Sequence, residues 1–228
     1  MLDGRSILAL IPARGGSRGI AGKNLRQVAG RSLLAWTAKA AAESRYIDRV
    51  MLSSDDDAIM QAARDLGVEV PFRRPAELAT DTAGAVGVAV HALEALEPSF
   101  DVLVLLQPTS PLRTGEDIDR CLELLASRNA DSCTSVHECS KPPEWMFRVA
   151  DDGRMQPVLP AFDDSRRQDI RPTHVLNGAV YACRVAAFLA HRRFVTADTL
   201  AYVMPRERGL DIDEELDLVV AEALLARR

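Results

Sequence analysis

Cysteine is scarce in this chain and poorly placed for cross-linking. The four residues, Cys121, Cys133, Cys139 and Cys183, include no Cys-x-x-Cys pair, which excludes a disulfide-dense scaffold and leaves reduced thiols as the simplest state. Cys133, His137 and Cys139 fit none of the common zinc spacings. No apolar run is long enough to span a membrane. Residues 7–11 are the nearest thing to a leader, but they are too short, and arginines follow where a signal peptide has its small-residue cleavage site. The expected location is the cytoplasm. Positive charge is not in excess either: 28 Lys and Arg against 33 Asp and Glu leave a net −5. That balance argues against nucleic acid or a membrane surface as partner. There is no internal repeat and no low-complexity tract. What remains is an ordinary globular composition, 47% hydrophobic and 27% charged over 228 residues. A chain of that length buries roughly 70% of its unfolded surface without staples.

Apolar runs and helical patterns alternate along it. Residues 6–11 read as a buried strand, continuous rather than alternating, as parallel strands tend to be. Further strands are predicted at 49–53, 68–71, 101–106, 132–136, 179–183 and 200–204. Helices are predicted at 32–42, 56–66 (ended by Gly67), 82–96 and 116–126. In a last helix, Leu216, Val219, Val220, Ala223 and Leu224 recur at the spacing of one buried face. Strands separated by helices argue an α/β fold with a mostly parallel sheet, here a single domain over 1–228. Residues 140–174 break the rhythm with Pro, Asp and Arg. A loop this long is uncommon in a compact domain unless it carries function or packs on a partner. Ligands of such sheets sit beyond the carboxyl ends of the strands.

The segment after the first predicted strand is Pro12-Ala13-Arg14-Gly15-Gly16-Ser17-Arg18-Gly19-Ile20-Ala21-Gly22-Lys23-Asn24. Its glycines let the backbone approach a ligand and turn N–H groups inward. Arg14, Arg18 and Lys23 suit a polyphosphate. No acidic residue occurs between Gly4 and Ala42, against seven basic ones, in a chain of net negative charge. That marks an anion site rather than a solvated loop. Two phosphate loops are excluded by spacing. Five residues separate Gly16 from Gly22 and Asn24 stands where a Walker A loop needs a hydroxyl. The glycines read GGxxG, not GxGxxG, so neither an ATPase nor a dehydrogenase is supported.

Later segments are more ambiguous. Ser53-Ser54-Asp55-Asp56-Asp57 reads as a helix cap with acids at the dipole, and Thr80 or Asp81 as the cap of the next helix. Arg74 is either a ligand-binding or a surface arginine. Gln107 ends the central strand ahead of Pro108-Thr109-Ser110-Pro111-Leu112-Arg113, where its amide needs a partner, ligand or structural. Near the C-terminus, strand-like alternation sets Asp211 and Asp213 on one side and Ile212 toward the core. Two such carboxylates either hold magnesium or cap the final helix, with Asp213 as N-cap and Asp211 at capping-box spacing from Glu214. Beside a basic loop the metal reading gains, because an anion site and a cation site are the two halves of Mg-nucleotide chemistry.

IPARGGSRGIAGKN, RPAELATDTA, LLQPTSPLR, RRQDI…LNGAVY and LDIDEELDL, in this order and over about residues 7–225, resemble the CMP-N-acylneuraminate (CMP-sialic acid) synthetases. The resemblance implies a Rossmann-like sheet with helices on both faces, and an N-acylneuraminate cytidylyltransferase activity. Such an enzyme joins CMP from CTP to a nine-carbon 2-keto (nonulosonic) sugar acid and releases pyrophosphate. It also implies a homodimer, with 140–174 as an arm toward the partner, and magnesium as cofactor. Carried over by position, Arg14, Gly15, Gly16, Ser17, Arg18, Lys23 and Asn24 would meet the CTP phosphates and Arg74 the cytidine. Gln107, Asn177 and Tyr181 would contact or shape the sugar site, Arg167 of the arm would bind its carboxylate, and Phe194 would pack on its acyl group. Asp211 and Asp213 would hold magnesium, with Lys23, Arg14 and Asp211 at the chemistry. The chain departs from the family pattern at Arg18 (usually lysine), Ala85 (often serine), Arg193 (often aromatic) and Lys141-Pro142-Pro143-Glu144-Trp145. The last two changes fall at the sugar site, which keeps N-acetylneuraminic, legionaminic and pseudaminic acids all open. A non-catalytic nucleotide-binding protein on the same fold is the alternative from another class.

Overall fold

A computed structural model describes residues 2–17, 19–96, 99–159, 166 and 169–227. The chain begins with strand β1 (Ile7–Pro12), a loop over 13–22 and a 3-10 turn at Lys23–Leu25. Two short strands, β2 (Gln27–Val28) and β3 (Arg31–Ser32), lead into helix α1 (Leu33–Ala42). Then come β4 (Arg49–Ser53), α2 (Asp57–Asp65), α3 (Ala85–Glu94), β5 (Val102–Leu105), α4 (Gly115–Ser127) and β6 (Ser132–Glu138). A small hairpin, β7 (Phe147–Val149) and β8 (Met155–Pro157), precedes β9 (His174–Arg184), α5 (Val185–His191), β10 (Leu200–Val203) and α6 (Glu215–Leu225).

Six strands form the main sheet in the order β10-β6-β9-β5-β1-β4. All run parallel except β9, which is antiparallel to both its neighbours. Alternate residues of β1 feed opposite faces. Ile7, Ala9 and Ile11 join a core with residues of α1, α2 and α4, while Leu8 and Leu10 join another with residues of α3 and α5. Burial on both faces is why this strand is apolar throughout. Ser32 caps α1 through its Oγ, and Asp56 caps α2 by accepting from the Ile59 amide at 2.9 Å. Among the described residues, no helix is long and apolar enough to cross a membrane.

Four expectations need correction. Residues 68–71 form no strand; Glu69 only bridges β4, exchanging backbone hydrogen bonds with Val50 and Leu52. Helix α3 starts at Ala85, with Gly84 at its N-cap, so neither Thr80 nor Asp81 caps it. Strand β9 is eleven residues long and starts at His174, five residues ahead of the strand predicted at 179–183. Helix α6 turns a different face inward: Leu218, Ala221 and Leu225 are buried, whereas Leu216 and Val219 are each 64% exposed. The helix is apolar around most of its girth, so periodicity alone does not choose the face. The choice is made by a third core cluster of Ile20, Val28, Leu33, Leu112 and Ile212.

Candidate active site

Beyond the carboxyl ends of β1 and β5 lies a cavity of about 430 Å3 whose lining draws on both halves of the chain: Arg14, Lys23, Asn24 and Arg74, then Gln107, Asp211 and Asp213. The loop over 13–22 is folded down onto two other segments. The Gly15 amide donates to Asp55 Oδ1 at 3.0 Å, and a Cβ on Gly15 would sit 2.9 Å from Asp56 Oδ2. A Cβ on Gly19 would sit 2.3 Å from the Asp213 carbonyl oxygen. Both glycines are therefore required by close packing, while Gly16 meets nothing within 4 Å. Ser17 lines the cavity, and Arg18 lies outside the described residues.

The cations are held in place before any anion arrives. Asn24 Nδ2 donates to the Arg14 carbonyl at 2.9 Å, and Arg14 pairs with Asp81 at 2.9 Å. Arg74 is buried; it donates to Ser53 Oγ at 3.0 Å and to the Ser53 carbonyl. Burial pushes its guanidinium down to about 10, with Asp55 opposing and nearby Arg14 adding to the fall. Ala83 and Ala85 bring the uncapped N-terminus of α3 to the same cavity, with no acid in its first turn. Its free amides suit an anion. Pattern had hidden this by starting the helix at residue 82.

Asp211 and Asp213 flank Ile212, which is fully buried in the cluster under α6. Burying that side chain contributes about 1.5–3 kcal/mol and fixes which way its neighbours face. The Ile212 amide donates to the Thr109 carbonyl at 2.8 Å, tying this segment to the loop after β5. Lys23 Nζ donates to the Ile212 carbonyl at 2.7 Å and approaches Asp213 Oδ1 at 3.3 Å. Neither aspartate serves as a helix cap. Glu214 stands at the N-cap of α6, and Asp217 Oδ2 accepts from the amides of Asp213 and Glu214 at 2.8 and 2.9 Å. Burial pushes the Asp211 carboxyl up, partly offset by a Thr109 hydrogen bond and raised further by Asp213. Its Oδ1 is buried with no hydrogen-bond partner. A buried carboxylate with one oxygen unpartnered, beside a second carboxylate, fits a hard cation such as magnesium.

The other residues expected at the sugar site are dispersed. Gln107 lines the cavity. Tyr181 is half-buried, its hydroxyl pushed up by burial and by the nearby Asp211 charge, and its ring lies 5.8 Å from that of Phe194. Phe194 is buried in the core, 4.7 Å from the Phe188 ring. Asn177 does not line this cavity; its Oδ1 accepts from Ser135 Oγ at 2.6 Å and from the Ala179 amide at 3.2 Å. Arg193 is exposed, and Arg167 lies outside the described residues.

A cytidylyltransferase family model matches residues 8–150. Among characterised proteins, the N-acylneuraminate cytidylyltransferase of Streptococcus agalactiae serotype V is 32% identical over 93% of this chain; the chain spans about half (51%) of that relative's length. The CMP-N,N'-diacetyllegionaminic acid synthase of Legionella pneumophila is 32% identical, with 96% of each covered. The pseudaminic acid cytidylyltransferase of Campylobacter jejuni is 29% identical, with 95% of each covered. A solved CMP:2-keto-3-deoxy-manno-octonic acid synthetase complexed with CTP superposes at TM-score 0.70 and 18% identity, covering 97% of this chain and 99% of its own. That likeness is one of fold.

Proposed function

Since the chain belongs to the cytidylyltransferase family, we propose that it transfers CMP from CTP to the anomeric hydroxyl of a nonulosonic acid, N-acetylneuraminic acid or a legionaminic or pseudaminic relative. One observation carries the reading: the basic loop with Lys23 and Arg14 and the carboxylates of Asp211 and Asp213 border a single cavity. Relatives named for each of the three sugars support the substrate class.

In this reading Arg14, Lys23, Asn24 and the first amides of α3 hold the triphosphate, and Arg74 lies by the cytidine. Gln107 contacts the acid sugar. The anomeric oxygen attacks the α-phosphorus, the bond to the β-phosphate breaks, and pyrophosphate departs. Asp211 orders the attacking hydroxyl and accepts its proton. Lys23 is fixed through the Ile212 carbonyl, so its charge needs little reorganisation as phosphate charge builds. Asp211 and Asp213 would hold magnesium, which when bound supplies charge neutralisation on the phosphates.

We further propose a homodimer acting in the cytoplasm. In support of the dimer, neither strand of the β7–β8 hairpin contains a buried residue, and Val149 and Met155 are 71% and 62% exposed. An arm of this kind needs something to lie against. In support of a reducing compartment, the four cysteines are unbridged and three of them buried.

The test is pyrophosphate release from CTP and magnesium with N-acetylneuraminic, legionaminic, pseudaminic or 3-deoxy-octulosonic acid as acceptor. Release with one nine-carbon acid is expected. CTP binding without release from any of the four would leave the non-catalytic reading.

A further inference from the structure

The backbone of Gln107 is held, and its side chain given room, by residues outside the roles given above. Opposite β6, strand β9 carries a wide bulge: Thr134 faces Tyr181 and Val136 faces Leu176, leaving residues 177–180 opposite Ser135 alone. Ser135 Oγ stitches the bulge by donating to Asn177 Oδ1 and accepting from the Val180 amide at 2.8 Å. Within it, Gly178 adopts φ +72, and a Cβ there would lie 2.5 Å from Gln107 Oε1 and 3.5 Å from Asp211 Oδ2. The missing side chain thus leaves a notch bordered by the carboxamide and the carboxylate.

The second hold is on the main chain. Arg113 is 3% exposed, and its Nη1 donates to the carbonyls of Gln107 at 3.1 Å and Ala179 at 2.7 Å. One guanidinium nitrogen therefore joins the strand end bearing Gln107 to the residue following Gly178. Its Nε and Nη2 are buried with no hydrogen-bond partner. A buried cation is costly to desolvate, and here its described hydrogen bonds go only to these two carbonyls.

We propose that Arg113 and Gly178 are positioning residues, a two-point clamp that sets the Gln107 carboxamide against the Asp211 carboxylate. This rests on the reading that Gln107 contacts the acid sugar. If the sugar is gripped at Gln107 while its hydroxyl meets Asp211, the fixed relation between those two groups aligns the attack. CTP, bound by the basic loop, does not depend on it.

The test is steady-state kinetics on Gln107→Ala, Gly178→Ala, Arg113→Lys and the two double variants that carry Gln107→Ala, with whichever of the four acids turns over fastest. Each single variant is expected to raise the sugar KM about tenfold, roughly 1.4 kcal/mol, and to leave the CTP KM within about twofold. Gly178→Ala and Arg113→Lys should add little once the carboxamide is gone. Full multiplication of the effects, or equal shifts in both KM values, overturns the clamp while leaving Gln107 as a sugar contact. An unchanged sugar KM in Gln107→Ala overturns that contact and the clamp with it. Should Gly178→Ala fail to fold, Arg113→Lys in the two backgrounds makes the same comparison, and refolding of the Gly178 variant by Gln107→Ala would itself support the notch.

Discussion

Asp211 sits where its own charge is unwelcome. Burial is the main reason its carboxyl is raised, Asp213 adds to it, and Thr109 and Lys23 only partly offset it. A carboxyl raised by folding favours the folded state while it is protonated. That benefit is complete below the unfolded pKa and is lost as pH rises through the folded one. At neutral pH the ionised group therefore opposes folding in the absence of a bound cation. Asp211→Asn is expected to raise Tm at neutral pH, by about 2–4 °C for each kcal/mol relieved, and to lower kcat on the order of 10²-fold. The gain in Tm should shrink on acidification, and a variant less stable than its parent at neutral pH would contradict the sign. The basic loop was readable because acids are missing from a long stretch, a signal that needs no fold. Gly178 and Arg113 were not readable: their meaning arises only when the β9 bulge comes against the end of β5.

At the scale of elements, the turn that delivers Asp211 is anchored to α4. Asp117 is fully buried and accepts from Arg208 Nη2 at 2.8 Å, from Tyr202 Oη at 3.0 Å and from the Thr114 amide at 2.9 Å. It thereby joins the start of α4 to β10 and to the 3-10 turn Arg206–Arg208. Burial alone would raise this carboxyl, but Arg208 and Thr114 hold it below the usual range. Its stabilisation is therefore present above the unfolded pKa and lost as pH falls through the lowered one. Asp117→Asn should cost about 3–5 kcal/mol, the usual result of breaking a buried pair. Urea unfolding reads this directly, and a midpoint equal to the parent's would mean that the network carries no net stability. Element type was legible wherever apolar runs were buried on both faces, as in β1, β4 and β5. In α6 the helix was legible but its buried face was not, because the pattern offers more than one apolar face and the Ile212 cluster decides; at 68–71 the type itself failed, since a single bridge does not extend into a strand.

Taken as a whole, the molecule leaves apolar surface uncovered: Val175 and Leu176 of β9, Val203 of β10, and Leu216 and Val219 of α6 are between 43% and 64% exposed. A second copy would cover such surface in the homodimer proposed above. The chain should then elute at twice its 24.9 kDa mass, and Arg167→Ala mixed with Lys23→Ala should regain activity if the arm serves the partner's site. A monomeric profile, or no recovery above either parent, contradicts it. The central place of β9 has a further consequence, for the order of events during synthesis. Strands β1, β4 and β5 can pair among themselves as soon as they leave the ribosome, but β6 has no route to them, because the slot between β5 and β6 belongs to a strand made some forty residues later. Until Arg184 emerges, the edges of β5 and β6 stand open toward each other, joined by the segment that carries α4, and the stretch between β6 and β9 is the tether that lets the late strand reach back between them.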